Sequence, residues 1–337
     1  MKALIDISEE MYNRIKDVNR DSSLQNFILM AIENQISLEK EQHSEIIDLD
    51  KKIQKTPTVN KPKQSELKQL PDAMDTVELL RNPLAYEKVT TAPLKKPIKD
   101  YYIWGQYNKF FAMKFAVRYL ALMQIQNNSA PVKLSEFQNR CSRAASVMKD
   151  TLKQSDKVAN RIWGEGFSAG LPEIEEKSWS RFVHHFIGYT DSQGNQVGAL
   201  SDLGFIVIDH GQVALSPQGL VFAKIQNPIL DDNVFSSVLF SSDEQQFLIN
   251  HLKTNIPVEW RGIQAVIQWI NDGINSPETL NAKFATMNPK WTIKMANTYR
   301  TGMLARMYDL GFITRKKIGV NANYIVTEIG TKAVGIT

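Results

Sequence analysis

The chain has 337 residues, of which 43% are hydrophobic and 23% charged; this is ordinary globular usage and excludes a wholly disordered chain. No apolar run approaches the roughly 18 residues of a membrane span, and the start MKALIDISEE is not a signal peptide, so a cytoplasmic protein with no membrane partner is expected. The single cysteine, Cys141, excludes a disulfide framework and a multi-cysteine zinc site. The net charge of +4 is unevenly spread: residues 1–50 carry 5 Lys and Arg against 11 Asp and Glu, residues 51–100 carry 11 against 6, and residues 291–337 carry 7 against 2. The last two segments suit contact with a polyanion, although a solvated basic face has the same composition.

Residues 1–40 begin with a strand pattern in which Ala3, Ile5 and Ile7 alternate with Lys2, Leu4 and Asp6. Ser8, followed by Glu9 and Glu10, opens a helix striped by Met11, Ile15 and Val18. Asp21-Ser22-Ser23 starts a second, with Leu24, Phe27, Ile28, Ala31, Ile32 and Ile36 on one face. A lone strand makes no sheet and so short a segment makes no core, so a second chain is expected to supply the second strand. The order ALIDISEEMYNRI then SSLQNFILMAIENQI resembles the ribbon-helix-helix family of DNA-binding dimers; an amphipathic helical hairpin is the alternative. The resemblance implies a homodimer closed by Ile5, Ile7, Phe27 and Ile28. It would turn Lys2, Leu4 and Asp6 towards bases, where Leu4 cannot hydrogen-bond and Asp6 repels phosphate.

Residues 41–100 hold six of the 13 prolines among many lysines and are expected to be an extended basic linker. Residues 101–230 and 231–337 are expected to be two further domains. In the first, a strong apolar helix begins near Phe110, others lie near 134–150 and 174–188, and strands are expected at Phe205–Ile208 and Gln212–Leu215 about a tight Asp209-His210-Gly211 turn. In the second, helices are expected from Ser241, at about 259–272 and 276–286, and at 291–309. The segment SDLGFIV…VALSPQGLVFA aligns with YDLGFIT…YIVTEIGTKAV, an internal repeat of helix, Leu-Gly turn, hairpin and Ser/Thr-x-x-Gly helix start.

That order resembles winged helix-turn-helix domains. The fold class expected for the whole chain is therefore mainly α with small β wings, an N-terminal ribbon-helix-helix-like dimerisation unit preceding tandem winged helix domains. The resemblance implies that the third helix of a domain enters the major groove of double-stranded DNA while the wing touches its backbone. In the second domain a helical wheel buries Ala296, Met303, Met307 and Leu310, with Ile293 at the edge, and turns Trp291, Lys294, Asn297, Thr298 and Thr301 outward; a core cap at the helix start is the equal alternative for Trp291. Arg300 falls towards the buried side. The wing adds Arg315, Lys316, Lys317, Asn321 and Asn323, groups suited to phosphate. In the first domain the candidates are Lys177, Ser180, Arg181 and His184, and the wing Asp209–Gln212 lacks cations.

No catalytic or metal-binding constellation is evident. His184 and His185 are adjacent and diverge on a helix, and His43, His210 and His251 keep no ligand spacing. Gly164, Gly166 and Gly170 are not followed by the Gly-Lys-Ser/Thr of a phosphate loop. The chain is expected to be no enzyme, to need no cofactor, and to act as a transcriptional regulator or plasmid maintenance factor. The other reading is a non-catalytic recognition or docking subunit of a larger defence or restriction assembly, with a protein partner.

Overall fold

Helix α1 (Phe110–Gln126) buries 14 of its residues, because FFAMKFAVRYLALMQIQ is apolar all round rather than on one stripe. It is the central element of a computed structural model that describes residues 88–161, 166–174, 177–232, 234, 238–318 and 321–335; for Lys317, Ile318, Asn321 and Ala322 it describes the backbone alone. All of these belong to one unit, Lys61–Thr337. The expected ribbon-helix-helix-like segment, with Ile5, Ile7, Phe27 and Ile28, lies outside the described residues. The described chain is mainly helical with small antiparallel sheets. Among the described residues no helix is long and apolar enough to cross a membrane.

After α1 the chain forms strand β1 (Val132–Lys133) and helix α2 (Leu134–Val158). The latter runs beyond the expected end near 150, because Leu152 continues the buried stripe of Phe137, Cys141, Ala145 and Met148. A short helix α3 (Lys177–Arg181) widens into a π-helical segment, Phe182–Ile187. The expected helix does not lead straight into the Leu-Gly turn. Gly188 and Gly198, both at positive φ, back onto one another and bracket a small hairpin, β2 (Tyr189–Thr190) with β3 (Gln196–Val197). Asp191 holds its bend by accepting from the Gln193 and Asn195 N–H groups at 2.9 and 2.7 Å. Only a four-residue helix, α4 (Ala199–Asp202), then precedes the turn. Strands β4 (Ile206–Asp209) and β5 (Gln212–Leu215) join β1 in the order β1-β5-β4, followed by helix α5 (Pro217–Lys224).

Helices α6 (Ser242–Asn255), α7 (Pro257–Asn271), α8 (Pro277–Met287) and α9 (Ile293–Asp309) make up most of the second half. Strands β6 (Ile313–Ile318) and β7 (Asn321–Val326) form a separate hairpin, and α10 (Glu328–Val334) ends the described chain. The helix starts follow local chemistry. Ser241 and Glu244 form a capping box for α6, Ser276 caps α8 with Pro277 as its first residue, and Thr292 caps α9.

The internal repeat is matched bond for bond. Gly204 and Gly311 end α4 and α9 at φ +69° and +70°, a conformation costly for any residue with a Cβ. Ser216 Oγ donates to Gly204 O at 2.5 Å and accepts from Gly219 N at 3.0 Å. Thr327 Oγ1 likewise donates to Gly311 O at 2.5 Å and accepts from Gly330 N at 3.1 Å. Gly219 and Gly330 are required because a Cβ there would strike the carbonyls of Phe205 and Phe312.

The two halves share one buried core. Polar side chains lock them together: Lys109 and Asp309 pair at 2.8 Å, Lys114 and Glu244 at 2.9 Å, and Arg118 and Asp231 at 2.6 Å. His251 of α6 lies 2.9 Å from Leu203 O; a carbonyl only accepts, so Nε2 carries the proton. Asn255 Nδ2 lies 3.2 Å from the other ring nitrogen. The packed structure starts inside the expected linker. Val89 is buried, Ala92 N donates to Leu215 O at 2.8 Å, and Asp100 accepts from Val258 N at 2.8 Å at the start of α7.

Candidate nucleic-acid interface

Helices α8 and α9 pack together across the turn Asn288–Thr292. Asn288 makes that turn by accepting from Lys290 N through its side chain and from Trp291 N through its carbonyl, both at 3.0 Å. The outer surface of α9 begins with Ile293, which is 78% exposed, and continues through Lys294, Asn297 and Thr301, all exposed. Ile293 therefore does not line the core edge as the wheel suggested; it sits in the first turn, beyond the packed part of the helix.

Trp291 takes the second of its two expected places, a cap at the helix start. It precedes the helix and stacks on Tyr299, with ring centroids 4.2 Å apart and planes 7° apart, while Tyr102 meets it edge-on at 5.1 Å. Trp104 meets Tyr299 edge-on at 5.4 Å. These contacts hold the segment Tyr102–Tyr107 as a strap along α9. A buried ion pair fixes it from beneath. Arg306 Nη2 lies 2.6 Å from Glu259 Oε1, Arg306 also donates to Tyr107 O, and Glu259 Oε2 accepts from Ile103 N at 3.0 Å. Where strap and helix cross, Gly105 meets Gly302, and a Cβ on Gly105 would lie 2.1 Å from Thr298 O. Thr298 is therefore half covered, and its hydroxyl donates to Lys294 O at 3.0 Å.

Arg300 leans back rather than outward. Its Nη1 donates to Pro277 O at the start of α8 and its Nη2 to Asn297 Oδ1, both at 2.7 Å. The Thr301 hydroxyl donates to Asn297 O at 2.9 Å.

The cations of the β6–β7 hairpin lie within strand β6 and not at its tip, so pleating sends neighbours to opposite faces. Arg315 opposes Tyr324 in register, bonds its hydroxyl at 3.0 Å and lies over its ring, and is half-buried. Lys316 is exposed and opposes Asn323, which is half-buried. Lys317 and Asn321 pair through the backbone with Ala322 and Ile318.

In the first half, Lys177 and Arg181 are exposed on α3. His184 Nδ1 lies 2.7 Å from Ser180 O and 3.2 Å from Ser180 Oγ, and its ring meets Tyr189 edge-on, so Ser180 and His184 serve this segment's own packing. Burial pulls His185 down to about 4, with His184 and Arg181 adding to the effect, so it brings no charge at neutral pH. Although the β4–β5 hairpin has no lysine or arginine of its own, the preceding segment supplies one, since Lys95 pairs with Asp209. Cys141 is fully buried and burial pushes its thiol up, away from the reactive thiolate. Among the described residues no three His, Cys, Asp or Glu side chains converge as metal ligands.

Residues 279–327 contain one carboxylate, Asp309, and eight cations. Asp309 is buried on Lys109, and Arg306 is buried on Glu259. Lys283, Lys290, Lys294 and Lys316 are exposed and Arg300 and Arg315 half-exposed, so these helices and hairpin present six cations against one exposed acid, Glu278 in the first turn of α8. Lys283 and Lys290 lie outside the candidates on α9 and the hairpin; the surplus of cations over residues 279–327 is the sequence signal that includes them. Comparison with protein-family models, with curated proteins and with solved structures found no match.

Proposed function

We propose that this protein is a sequence-specific double-stranded DNA-binding protein, a transcriptional regulator or plasmid maintenance factor that works as a homodimer through residues 1–40. In this reading the α7–α9 and β6–β7 segment acts as a winged helix, with the first turns of α9 in the major groove and Lys316 on the backbone. The observation that carries the reading is the surplus of cations on the surface of residues 277–327. A face with four exposed lysines and one exposed acid, Glu278, attracts phosphate, and counterion release makes such binding strongly salt-dependent. Lys294 and Asn297 stand where a recognition helix first meets base edges, and both can donate hydrogen bonds.

Selection of duplexes from a random pool by the full chain, followed by salt titration of the winning site, tests the reading. Asn297→Ala is expected to cost about 1–3 kcal/mol on the selected duplex and much less on a scrambled one, because only base contacts separate the two. Equal losses on both would make α9 a backbone clamp. An unenriched pool, or no loss with Asn297→Ala on either duplex at an unchanged melting temperature, would overturn the reading and favour protein docking at this surface.

A further inference from the structure

We infer that Arg300 fixes Asn297 as a hydrogen-bond donor beside Lys294 on the outer surface of α9 and so directs this pair to guanine in preference to adenine; the inference rests on the DNA-binding reading above. Arg300 bridges two helices, bonding Pro277 O of α8 through Nη1 and Asn297 Oδ1 through Nη2, each at 2.7 Å. A guanidinium has donors and no acceptor, so the atom that Asn297 turns towards it must be the oxygen. Rotating the amide would set its NH2 against the guanidinium, donor against donor. Asn297, exposed on α9, thus offers a ligand its amide nitrogen.

Lys294 extends this polarity. The ammonium of Lys294, one turn earlier, has only donors. The hydroxyl protons of Thr298 and Thr301 are spent on the carbonyls of Lys294 and Asn297, at 3.0 and 2.9 Å, which leaves these oxygens as acceptors and makes Asn297 and Lys294 the donors of this face. In the major groove guanine presents two acceptors, N7 and O6, whereas adenine presents the N7 acceptor beside the N6 donor. An asparagine reads adenine with both ends of its amide. Here Arg300 occupies one lone pair of the oxygen and fixes the direction of the amide, so the N6 amino group of adenine meets the donors of Asn297 and Lys294. Guanine satisfies the donors of Asn297 and Lys294 together. Arg300 touches no base in this scheme; it is a positioning residue acting through Asn297.

The experiment uses the full chain and its selected duplex, with each guanine replaced in turn by adenine and by 7-deazaguanine, which lacks the N7 acceptor. At one guanine both replacements are expected to weaken wild-type binding on the order of tenfold. Arg300→Met frees the amide to rotate and is expected to bring the guanine-to-adenine ratio there close to one. Arg300→Lys, which still donates to Asn297 Oδ1, is expected to keep it, and Asn297→Ala to lose it in either background. Should Arg300→Met melt much lower, the base replacements with wild-type protein still decide the matter. A selected site indifferent to every guanine replacement, or an Arg300→Met variant with full guanine preference, would overturn the inference and leave the DNA reading standing. Absence of any selected site would remove both.

Discussion

Asp309, the last residue of α9, accepts the first N–H of α1, that of Phe110, at 2.9 Å across 199 positions of sequence. Its other oxygen takes Lys109 at 2.8 Å. Helix α1 has no side-chain cap of its own, so the carboxylate of one half starts the central helix of the other. Asp202 holds the equivalent place in the first copy of the repeat and bonds Tyr107 Oη at 3.0 Å, so both copies converge on the entry to α1.

Breaking that junction should be expensive. Asp309→Ala removes the cap and leaves the Lys109 ammonium buried and unpaired, and is expected to cost about 3–5 kcal/mol. Replacing both partners, as Lys109→Met with Asp309→Leu, is expected to cost much less, since no buried charge remains. Chemical denaturation of the two variants separates these outcomes. Equal losses would mean that the cap on Phe110, and not the ion pair, carries the energy.

The strap makes a second measurable prediction. Gly105→Ala forces a methyl into Thr298 O and is expected to destabilise the protein by about 1–3 kcal/mol. Because Trp104 and Trp291 belong to the aromatic cluster that the strap completes, tryptophan emission should shift to longer wavelength in the same variant. An unchanged emission spectrum would mean that the strap had not lifted.

Acid should weaken the join between the halves through His251. Burial pulls this imidazole down from the ordinary 6.5 to about 4, against the smaller pull of the Leu203 carbonyl in the other direction. The unfolded chain binds the proton first as pH falls. Stability from this group is therefore complete above about 6.5 and is lost between 6.5 and about 4. Between pH 7 and pH 5 the loss is about 2 kcal/mol on the scale of 1.4 kcal/mol per pH unit. His251→Gln, which keeps a donor for Leu203 O and does not titrate, is expected to lack that share of the pH dependence. Denaturation curves at the two pH values test it, and parallel losses in wild type and variant would assign the acid sensitivity elsewhere.

The β6–β7 hairpin separates two kinds of cation. Lys316→Ala is expected to flatten the salt dependence of DNA binding by about 0.9 in logarithmic slope, one phosphate contact, without lowering the melting temperature. Arg315→Ala removes the partner of Tyr324 and should act on stability more than on the slope. Changing Arg315, Lys316 and Lys317 together to Ala is expected to flatten the slope by roughly two to three units if all three reach phosphate, and by one if Lys316 alone does.

The sequence by itself determined the local elements and their punctuation. The Leu-Gly turns at 203–204 and 310–311, strand Gln212–Leu215 and the caps Ser216, Ser241 and Thr327 follow from short-range chemistry, where a hydroxyl, a glycine or an alternating stripe settles the backbone within a few residues. Tertiary structure alone decided what those elements meet. A helical wheel assumes one buried side, yet α9 is covered by α8 on one side and by the Tyr102–Tyr107 strap on another, and so Thr298 is half covered while Ile293 stands exposed; the wheel sets Arg300 towards the buried side, and the tertiary structure supplies its partner, Pro277 O. The run Arg315-Lys316-Lys317 reads as one basic cluster, but strand pairing sets Arg315 on Tyr324 and leaves Lys316 in solvent. The partners of Asp309, Arg306 and His251 lie far away in sequence, and no local pattern encodes them. A buried charge is tolerated only where a distant element supplies its counter-group, so the lock between the halves exists only once the chain has folded.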